Sequence, residues 1–370
     1  MKFGIFFELS VPRPWTRESE RAVYKNALEQ TRLADELGFD QVWAVEHHFL
    51  EEYSHCSAPE LFLTACAMQT RRIRIGHGIV TCVPQFNHPV RIAERAAVLD
   101  ILSDGRLEFG TGRSATWTEL GGFRVNPDTT KKSWDEFVHA IPRMWTEERF
   151  AYEGEFFSMP SRAVLPKPYQ KPHPPLWVAV TSPGTELDAG DRGLGCLGVS
   201  LLSFEEEEKK IAEYRRRIRS CTPAGKFVND QVNGINFLYC HEDDATGVKI
   251  GLGMARYFNY LAGQLDMAKE MFPSKSYPTA GLLPALRRQA AGPGDETKPP
   301  EGLAIGNPKR VIEALKKWEA CGMDRVSFVL NCAETIPQAE VLRSLRVFAA
   351  EVMPAFAKRE PARETARGAA

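Results

Sequence analysis

The chain has 370 residues, of which 43% are hydrophobic and 26% are charged, and its 47 Lys and Arg against 48 Asp and Glu give a formal net charge of -1. This composition is ordinary for a globular protein and excludes a largely disordered chain. The balanced charge gives no electrostatic reason to expect nucleic acid or an anionic membrane as a partner, and no apolar run approaches the ~20 residues of a membrane-spanning helix.

The N-terminus and the cysteines indicate a cytoplasmic protein. The apolar stretch over residues 1–7 is too short for a signal-peptide core and lacks a small-residue cleavage site, so we expect no export. The eight cysteines are scattered without a CxxC pair, a pattern typical of reduced thiols and not of a disulfide framework or a zinc site.

Short β-branched or aromatic runs alternate with helical patterns along the chain. Pro89 fits a first helical position, Asn307 an N-cap, and Gly38 and Gly322 mark the ends of helices. Eight runs are predicted strands, at 2–8, 40–45, 72–80, 106–110, 176–180, 196–200, 231–239 and 325–330.

Eight strands with intervening helices predict a parallel sheet, because parallel neighbours need crossover connections. Closing that sheet gives an α/β fold, a (β/α)8 TIM barrel with insertions, and an open doubly wound sheet is the alternative. We expect one barrel domain over 1–356 and a disordered tail over 357–370. Two insertions are expected in this barrel. The first, at about 150–175, is a hairpin that turns at Glu153 and Gly154, followed by a proline-rich segment. The second, at about 263–302, is a lid.

The first candidate for chemistry is Glu46-His47-His48, at the end of the second predicted strand. Barrel active sites lie at the carboxyl ends of strands, and a histidine there can donate or accept a proton near neutral pH. With Glu51, Glu52 and His55, the group could instead bind a metal, although no HExxH or facial-triad spacing is present. A capping or buried structural histidine is the remaining interpretation.

The second candidate is the GxGxxA string from Gly110 to Ala115, which follows the fourth predicted strand. Its place in the chain disfavours a dinucleotide fingerprint, which normally occupies the first βα turn. A phosphate loop fits better, with Gly110 and Gly112 clearing space and Arg113 supplying a planar cation. An ordinary tight turn is the alternative.

Thr181 and Ser182 follow the fifth predicted strand. Small hydroxyl residues at this point either cap the next helix or present hydroxyl and N–H groups to an anion. Because the two loops follow adjacent barrel strands, we expect them to bind one phosphate together.

Taken in order, the motifs resemble those of the bacterial luciferase-like flavin monooxygenases. They cover residues 1–195 well and 306–356 more loosely. The matching segments are 1–6, 37–43, 45–49, 75–80, 88–91, 99–113 and 174–179.

The resemblance implies a (β/α)8 barrel, usually dimeric, that holds FMN at its mouth. His47 resembles the active-site histidine beside the flavin ring, and the turn at His77 and Gly78 matches the position under the isoalloxazine, often with a cis peptide. The expected cofactor-binding residues are Glu46, His77, Gly78, Gly110, Gly112, Arg113, Thr181 and Ser182, and no metal is expected.

Two departures from luciferase argue against light emission and a long-chain aldehyde substrate. Gly112 stands where luciferase has a reactive cysteine, and Val180 stands where it has an acid. The aromatic residues Phe7, Trp117, Phe123 and Phe258 suggest an apolar pocket at the mouth, although each could equally belong to the core.

The implied activity is monooxygenation of a small organic substrate by reduced FMN and O2 through a flavin hydroperoxide, with His47 holding or moving a proton. A separate NAD(P)H:flavin reductase would be a transient partner that supplies the reduced flavin. The alternatives are a deazaflavin-dependent oxidoreductase on the same barrel, a non-catalytic FMN-binding protein and, least favoured, a metal-dependent hydrolase.

Overall fold

The computed structural model describes residues 1–114, 116–182, 184–199, 203–267, 299–332 and 334–357. Over this part of the chain, short strands alternate with helices as the sequence predicts. The strands are β1 (Lys2–Phe7), β2 (Gln41–Ala44), β3 (Arg74–His77), β4 (Val80–Thr81), β5 (Leu107–Gly112), β6 (Phe150–Glu153), β7 (Ser158–Arg162), β8 (Leu176–Ala179), β9 (Gly195–Val199), β10 (Val232–Cys240), β11 (Ala304–Gly306) and β12 (Arg325–Val329).

The helices lie between the strands, and local signals set their ends. Gly38 ends the first helix with φ 89° and donates its N–H to Ala34 and Asp35, and the Asn307 side chain accepts the N–H of Arg310. The helices are α1 (Ser19–Leu37), α2 (Pro59–Gln69), α3 (Pro89–Leu102), α4 (Trp117–Gly122), α5 (Thr130–Thr146), α6 (Thr185–Asp191), α7 (Phe204–Ile218), α8 (Asp244–Met267), α9 (Pro308–Ala320) and α10 (Gln338–Val347).

Eight parallel strands close into a barrel. The order β1-β2-β3-β5-β8-β9-β10-β12 returns to β1 through the β12–β1 pairing. β4 continues β3 along β5, and β11 pairs with the carboxyl end of β10. The closed (β/α)8 barrel is therefore confirmed, and the open doubly wound sheet is wrong. No helix in the described part of the chain is long and apolar enough to cross a lipid bilayer.

Aromatic and polar side chains fill the barrel interior. Trp43 and Trp177 meet edge to face with ring centroids 5.4 Å apart, and the Trp177 indole donates to the buried Glu108 at 2.6 Å. Arg74 forms an ion pair with the same carboxylate. This packing leaves the carboxyl ends of the strands as the place for a site, because the interior is filled by side chains.

The hairpin and one strand differ from the sequence predictions, and two predicted segments lie outside the described residues. The hairpin turns over residues 154–157, and not at Glu153 and Gly154, because the N–H groups of Glu155, Phe156 and Phe157 bind the Glu136 carboxylate. Its second strand is therefore β7, beyond the predicted hairpin. The sequence did not predict β11, and most of the expected lid (268–298) and tail (358–370) lie outside the described residues.

Candidate active site

Backbone strain concentrates at the carboxyl end of the barrel. Leu9 follows β1, Phe49 follows β2, Ser114 follows β5 and Glu334 follows β12, and all four have φ between 48° and 63°. A non-glycine residue in the left-handed region costs about 1–3 kcal/mol and persists only where its surroundings enforce it. Such residues cluster at functional sites, so this end of the barrel is the candidate active site.

His47 lies between two buried carboxyl groups at this end. Its Nδ1 is 3.0 Å from Glu119 Oε1, and its Nε2 is 3.7 Å from Glu8 Oε2. The backbone N–H of His47 donates to the Cys56 carbonyl, which fixes the segment after β2. The side chain of His47 is 21% exposed, whereas the Glu119 side chain is fully buried.

Glu119 is held as an ionised carboxylate. Oε2 accepts the hydroxyls of Ser114 and Thr116, each at 2.8 Å, and Oε1 accepts the N–H of His48 at 3.0 Å. Burial opposes ionisation, but the charge and hydrogen bond of His47 and the two hydroxyls outweigh it and lower the pKa of Glu119. Thr116 also accepts the N–H of Glu119, so the first turn of α4 positions this carboxylate.

The environment drives His47 and Glu8 toward their protonated forms. Burial disfavours the charged imidazole, but the charge and hydrogen bond of Glu119, followed by the charges of Glu8 and Glu46, raise the pKa of His47 to about 9. Burial raises the pKa of Glu8 to about 7, against the opposing effects of His47 and of the Tyr53 hydroxyl, which donates to Glu8 at 3.3 Å. An imidazolium at neutral pH can donate a proton from either ring nitrogen.

Glu46 is occupied by protein partners. Its carboxylate accepts the N–H of Thr81 at 2.6 Å and the side-chain amide of Asn87 at 2.7 Å, and it lies 3.4 Å from His48 Nε2. These contacts tie the end of β2 to β4 and the loop after it. The geometry shows that Glu46 connects these segments at the mouth by hydrogen bonds. A contact between Glu46 and a cofactor stays a prediction.

His77 and the two glycines of β5 lie against each other. A Cβ on Gly110 would lie 2.1 Å from the His77 carbonyl oxygen, and one on Gly112 would lie 2.7 Å from the Ile79 side chain. Backbone packing therefore requires a glycine at position 110, whereas at position 112 only the Ile79 side chain crowds the added carbon. Burial lowers the pKa of His77 to about 4, so this histidine is neutral at pH 7.

The peptide bond between His77 and Gly78 is trans, and not the cis form that often occurs at this position in the family that the sequence resembles. The Gly78 N–H donates to the Ala44 carbonyl at 2.7 Å, which extends the pairing of β3 with β2.

The expected phosphate residues come from adjacent strands. β5 pairs with β8 in a register that places Thr111 opposite Val178, so Arg113 follows at the level where β8 leads into Thr181 and Ser182. Arg113 Nη1 also donates to the Thr130 hydroxyl at 3.3 Å. The barrel thus brings the two loops to neighbouring positions, as the sequence predicts, and their phosphate contact stays a prediction.

The donors weighed for a metal point to different partners. His55 Nδ1 is 2.9 Å from Glu20, and His48 Nε2 lies nearest Glu46. The stretch after β2 is not helical, so His47, Glu51 and His55 do not share a helix face. Among the residues described, no group of three His, Cys, Asp or Glu side chains could hold a metal ion.

Aromatic side chains surround the histidines. Phe123 contacts both Phe86, with ring centroids 4.2 Å apart, and His48, at 5.0 Å. On the other side Tyr53 lies edge to face with His47 at 5.6 Å and contacts Phe258 of α8 at 5.3 Å. Trp117 packs with Phe123 in the same small cluster, whereas Phe7 is buried in the main core. Of the four expected pocket aromatics, Phe7 and Phe258 are thus buried in the main core, and Phe258 also contacts Tyr53.

Comparison with known proteins identifies the family of the chain. The family model described as luciferase-like monooxygenase matches residues 1–325. The chain belongs to the luciferase-like monooxygenase family.

Several relatives share nearly the full length of this luciferase-like monooxygenase. The oxygenase component of the flavin-dependent trigonelline monooxygenase of Acinetobacter baylyi is 27% identical over 97% of this chain and 96% of that protein. Monooxygenase RslO1 from Streptomyces bottropensis has a TM-score of 0.79 at 28% identity, covering 96% and 100% of the two chains. An F420-dependent secondary alcohol dehydrogenase, solved with an F420-acetone adduct, has a TM-score of 0.70 at 19% identity over 96% and 99%, and shows the fold alone.

Sequence reasoning missed three residues of the site, Glu8, Tyr53 and Glu119. Glu119 had a detectable signal, because Thr116 followed three residues later by a glutamate is the pattern of a capping box. Glu8 had a weaker one, since it directly follows a strand that ends at the barrel mouth. No local pattern identifies Tyr53.

Replacing Glu119 by Gln should lower the pKa of His47, because the neighbouring negative charge that favours the imidazolium is lost. We expect a decrease of about 1–3 pH units, measured by NMR titration of the protein labelled with ¹⁵N-histidine. Glu36→Gln, on the exposed face of α1, is the matched control and should leave the titration unchanged. An unaltered His47 titration in Glu119→Gln would contradict the assigned ion pair.

Proposed function

We propose that this luciferase-like monooxygenase uses reduced FMN and O2 to oxygenate a small organic substrate. The observation that carries the proposal is the position of His47, whose two ring nitrogens lie 3.0 Å from Glu119 and 3.7 Å from Glu8 at the mouth of the barrel. When bound, reduced FMN supplies the electrons that activate O2, so that one oxygen atom enters the substrate and the other leaves as water. The protein's part is to bind and orient the flavin and the substrate, and to supply a proton beside the flavin ring.

The donor set at the ends of β5 and β8 fits the phosphate of FMN. Arg113 supplies a planar cation, and Thr181 and Ser182 supply hydroxyl and N–H donors on the adjacent strand end. Charge-assisted hydrogen bonds of this kind are the strong ones for a phosphate. We infer that the phosphate binds here and that the flavin ring extends from this point toward His47 and the β3–β4 segment.

His47 is suited to hold a proton beside the flavin ring. Because its pKa is raised to about 9, it is an imidazolium across the neutral range, and Glu119 fixes the orientation of its ring. The aromatic residues Tyr53 and Phe258 cover the same side of the mouth. Their apolar surface would exclude water and favour an apolar part of the substrate.

A separate flavin reductase and a cytoplasmic location belong to the same proposal. The Acinetobacter baylyi relative is the oxygenase component of its flavin-dependent enzyme. By analogy, an NAD(P)H:flavin reductase would supply reduced FMN to this chain as a transient partner.

The activity is tested by mixing the protein with reduced FMN, ¹⁸O2 and a panel of small organic substrates, and following product mass. We expect one labelled oxygen atom per product molecule, and a decrease of about 10²- to 10⁴-fold in His47→Ala while FMN remains bound. His55→Ala is the histidine control. Unchanged oxygenation in His47→Ala with tightly bound FMN would remove the role of His47, and no labelled product at all would contradict the oxygenase.

A deazaflavin-dependent hydride transfer is the second candidate, because the F420-dependent alcohol dehydrogenase shares the fold. The two activities differ in their need for oxygen: turnover with reduced or oxidised F420 under strict anaerobiosis would favour this candidate. Tight flavin binding without any substrate-dependent oxygen uptake would instead favour a non-catalytic FMN-binding protein.

Replacing Arg113 by Ala should weaken binding of FMN but not of riboflavin, because only FMN carries the phosphate. A hydrogen bond to a charged group contributes about 1.5–3 kcal/mol, so the Kd for FMN should rise about 10- to 100-fold, measured by flavin fluorescence. Arg149→Ala, in the β6–β7 hairpin, is the matched control. An equal loss of affinity for both flavins would contradict a phosphate contact of Arg113.

The proposal includes a homodimer formed through α2 and α3. These two helices pack against each other and expose apolar residues away from the core: Leu61, Met68, Val98, Ile101 and Leu102. Leu61 and Met68 are the most exposed, at 71% and 67%. A helix with apolar residues on all sides is normally buried, so a second copy of the chain is the occupant we infer for this surface.

Replacing Leu61 and Met68 together by Asp should convert the dimer to a monomer, because buried charges would be left without partners. Light scattering coupled to size exclusion would show the mass falling to that of one chain. Val228→Asp changes an exposed apolar residue outside α2 and α3 and should leave the dimer intact. A wild-type chain that is monomeric at micromolar concentration would contradict this interface.

A further inference from the structure

A small cavity lies behind the active site, between the end of β1, α1 and the segment after β12. It has about 20 Å³ of room for the centre of a water molecule, which is enough for one water. Apolar residues from β1 and α1 form part of its wall. The polar residues that line it are Glu8, Ser10, Gln30, Asn331, Cys332 and Glu334.

Glu8 forms the inner end of this cavity. Its side chain is 7% exposed, and Oε2 has no hydrogen-bond partner although it lies 3.7 Å from Nε2 of His47. A buried polar atom without a partner costs free energy, and a water molecule in the cavity would satisfy it. Glu8 thus contacts both the imidazole of the active site and the space behind it.

Glu334 forms the outer end. Its side chain is partly exposed and accepts the side-chain amide of Asn26, in α1, at 3.3 Å. Burial raises the pKa of Glu334 to about 7, as it does for Glu8, so that both carboxyl groups can gain and lose a proton near neutral pH. A proton carrier works best when its pKa lies near the working pH.

We propose that Glu8, a water in this cavity and Glu334 form a proton path that connects Nε2 of His47 with solvent behind β1. The inference rests on the proposed function, because a path from behind is needed only when the cofactor and the substrate cover the mouth. His47 gives its Nε2 proton to the site, and Glu8 in its acid form returns a proton to Nε2. The cavity water and Glu334 then reprotonate Glu8 from solvent, so that one proton enters for each that leaves and no electron moves.

Several titratable groups face Glu8 and set its behaviour. His47 and Tyr53 come from the segment after β2, Glu119 from α4 and Cys332 from the segment after β12. The α1 side chains in the cavity wall do not titrate, and burial raises the pKa of the Cys332 thiol so that it stays neutral. Among these groups, Glu8 is the one suited to exchange protons with both His47 and the cavity.

The first test uses the ligand-free protein. A high-resolution crystal structure should show a water in the cavity within hydrogen-bond distance of the Glu8 carboxyl group, and it should persist in Glu334→Gln. Gln30→Leu, which replaces a buried polar wall residue by an apolar one of similar size, should remove that water. A dry cavity in the wild type would overturn the path.

The second test uses ¹⁵N-histidine-labelled protein with FMN bound and follows solvent exchange of the His47 ring N–H by NMR. Exchange should slow by about ten-fold or more in Glu334→Gln and in Gln30→Leu, and Glu334→Asp should restore it. Glu29→Gln, an exposed acid on α1, is the control. An unchanged rate of solvent exchange of the His47 ring N–H in Glu334→Gln would overturn the proton path. If Gln30→Leu does not fold, the result for Glu334→Gln is sufficient by itself.

The two hypotheses fail in different ways. A protein that oxygenates substrates but has a dry cavity, or fast exchange in Glu334→Gln, refutes the path and leaves the proposed function intact. A protein that does not bind FMN contradicts the proposed function, and the crystal result for the cavity water then decides the path.

Discussion

The arrangement of this site depends on one buried cation held between two acids. His47 lies 3.0 Å from Glu119 and 3.7 Å from Glu8, and each of these carboxyl groups comes from a different part of the chain. Without the imidazolium, two buried acids would face each other, and without Glu119, burial would drive the imidazole toward its neutral form. Removing one partner of a buried ion pair typically costs about 3–5 kcal/mol, because the remaining charge is left unpaired.

Each member of this group is positioned by its own element. Glu119 belongs to the first turn of α4, where Thr116 caps the helix and binds the carboxylate. Glu8 directly follows β1, and the N–H of His47 is anchored to the Cys56 carbonyl. Because each group is held from its own side, their distances are fixed before any cofactor binds, which is the preorganisation that proton transfer needs.

The sequence predicts the barrel well because strand periodicity and helix caps are local signals. Gly38 and Asn307 mark helix ends wherever they occur, so the order of elements can be inferred without knowing how the strands pair. The pairing of His47 with Glu119 is a different kind of information, since 72 residues separate them and only closure of the barrel brings them together. Arg113 and Thr181 could be placed together because β5 and β8 were predicted as neighbouring strands.

The glycines of β5 show how one pattern can have two explanations. Gly110 and Gly112 read as a phosphate loop in the sequence, and yet the His77 carbonyl and the Ile79 side chain fill the space beside them. A spacing of glycines reports close approach, but it does not identify what approaches. Which group approaches the glycines depends on the register between β3 and β5, and the sequence of one segment alone does not determine that register.

Two histidines at neighbouring strand ends are kept in opposite protonation states. His47 and His77 follow or end the paired strands β2 and β3, and their pKa values are displaced to about 9 and about 4. The difference arises from contacts, since Glu119 binds the ring of His47 whereas Nδ1 of the more deeply buried His77 has no hydrogen-bond partner. When the pKa values of two titratable groups are shifted in opposite directions, one group becomes the proton donor and the other stays neutral. His47 can supply a proton at neutral pH, whereas the neutral His77 side chain lies in a small cavity with Glu60 of α2 and Arg95 of α3. The fold therefore decides from which strand end a proton can reach the mouth: it comes from His47, beside Glu8 and Glu119, and not from His77.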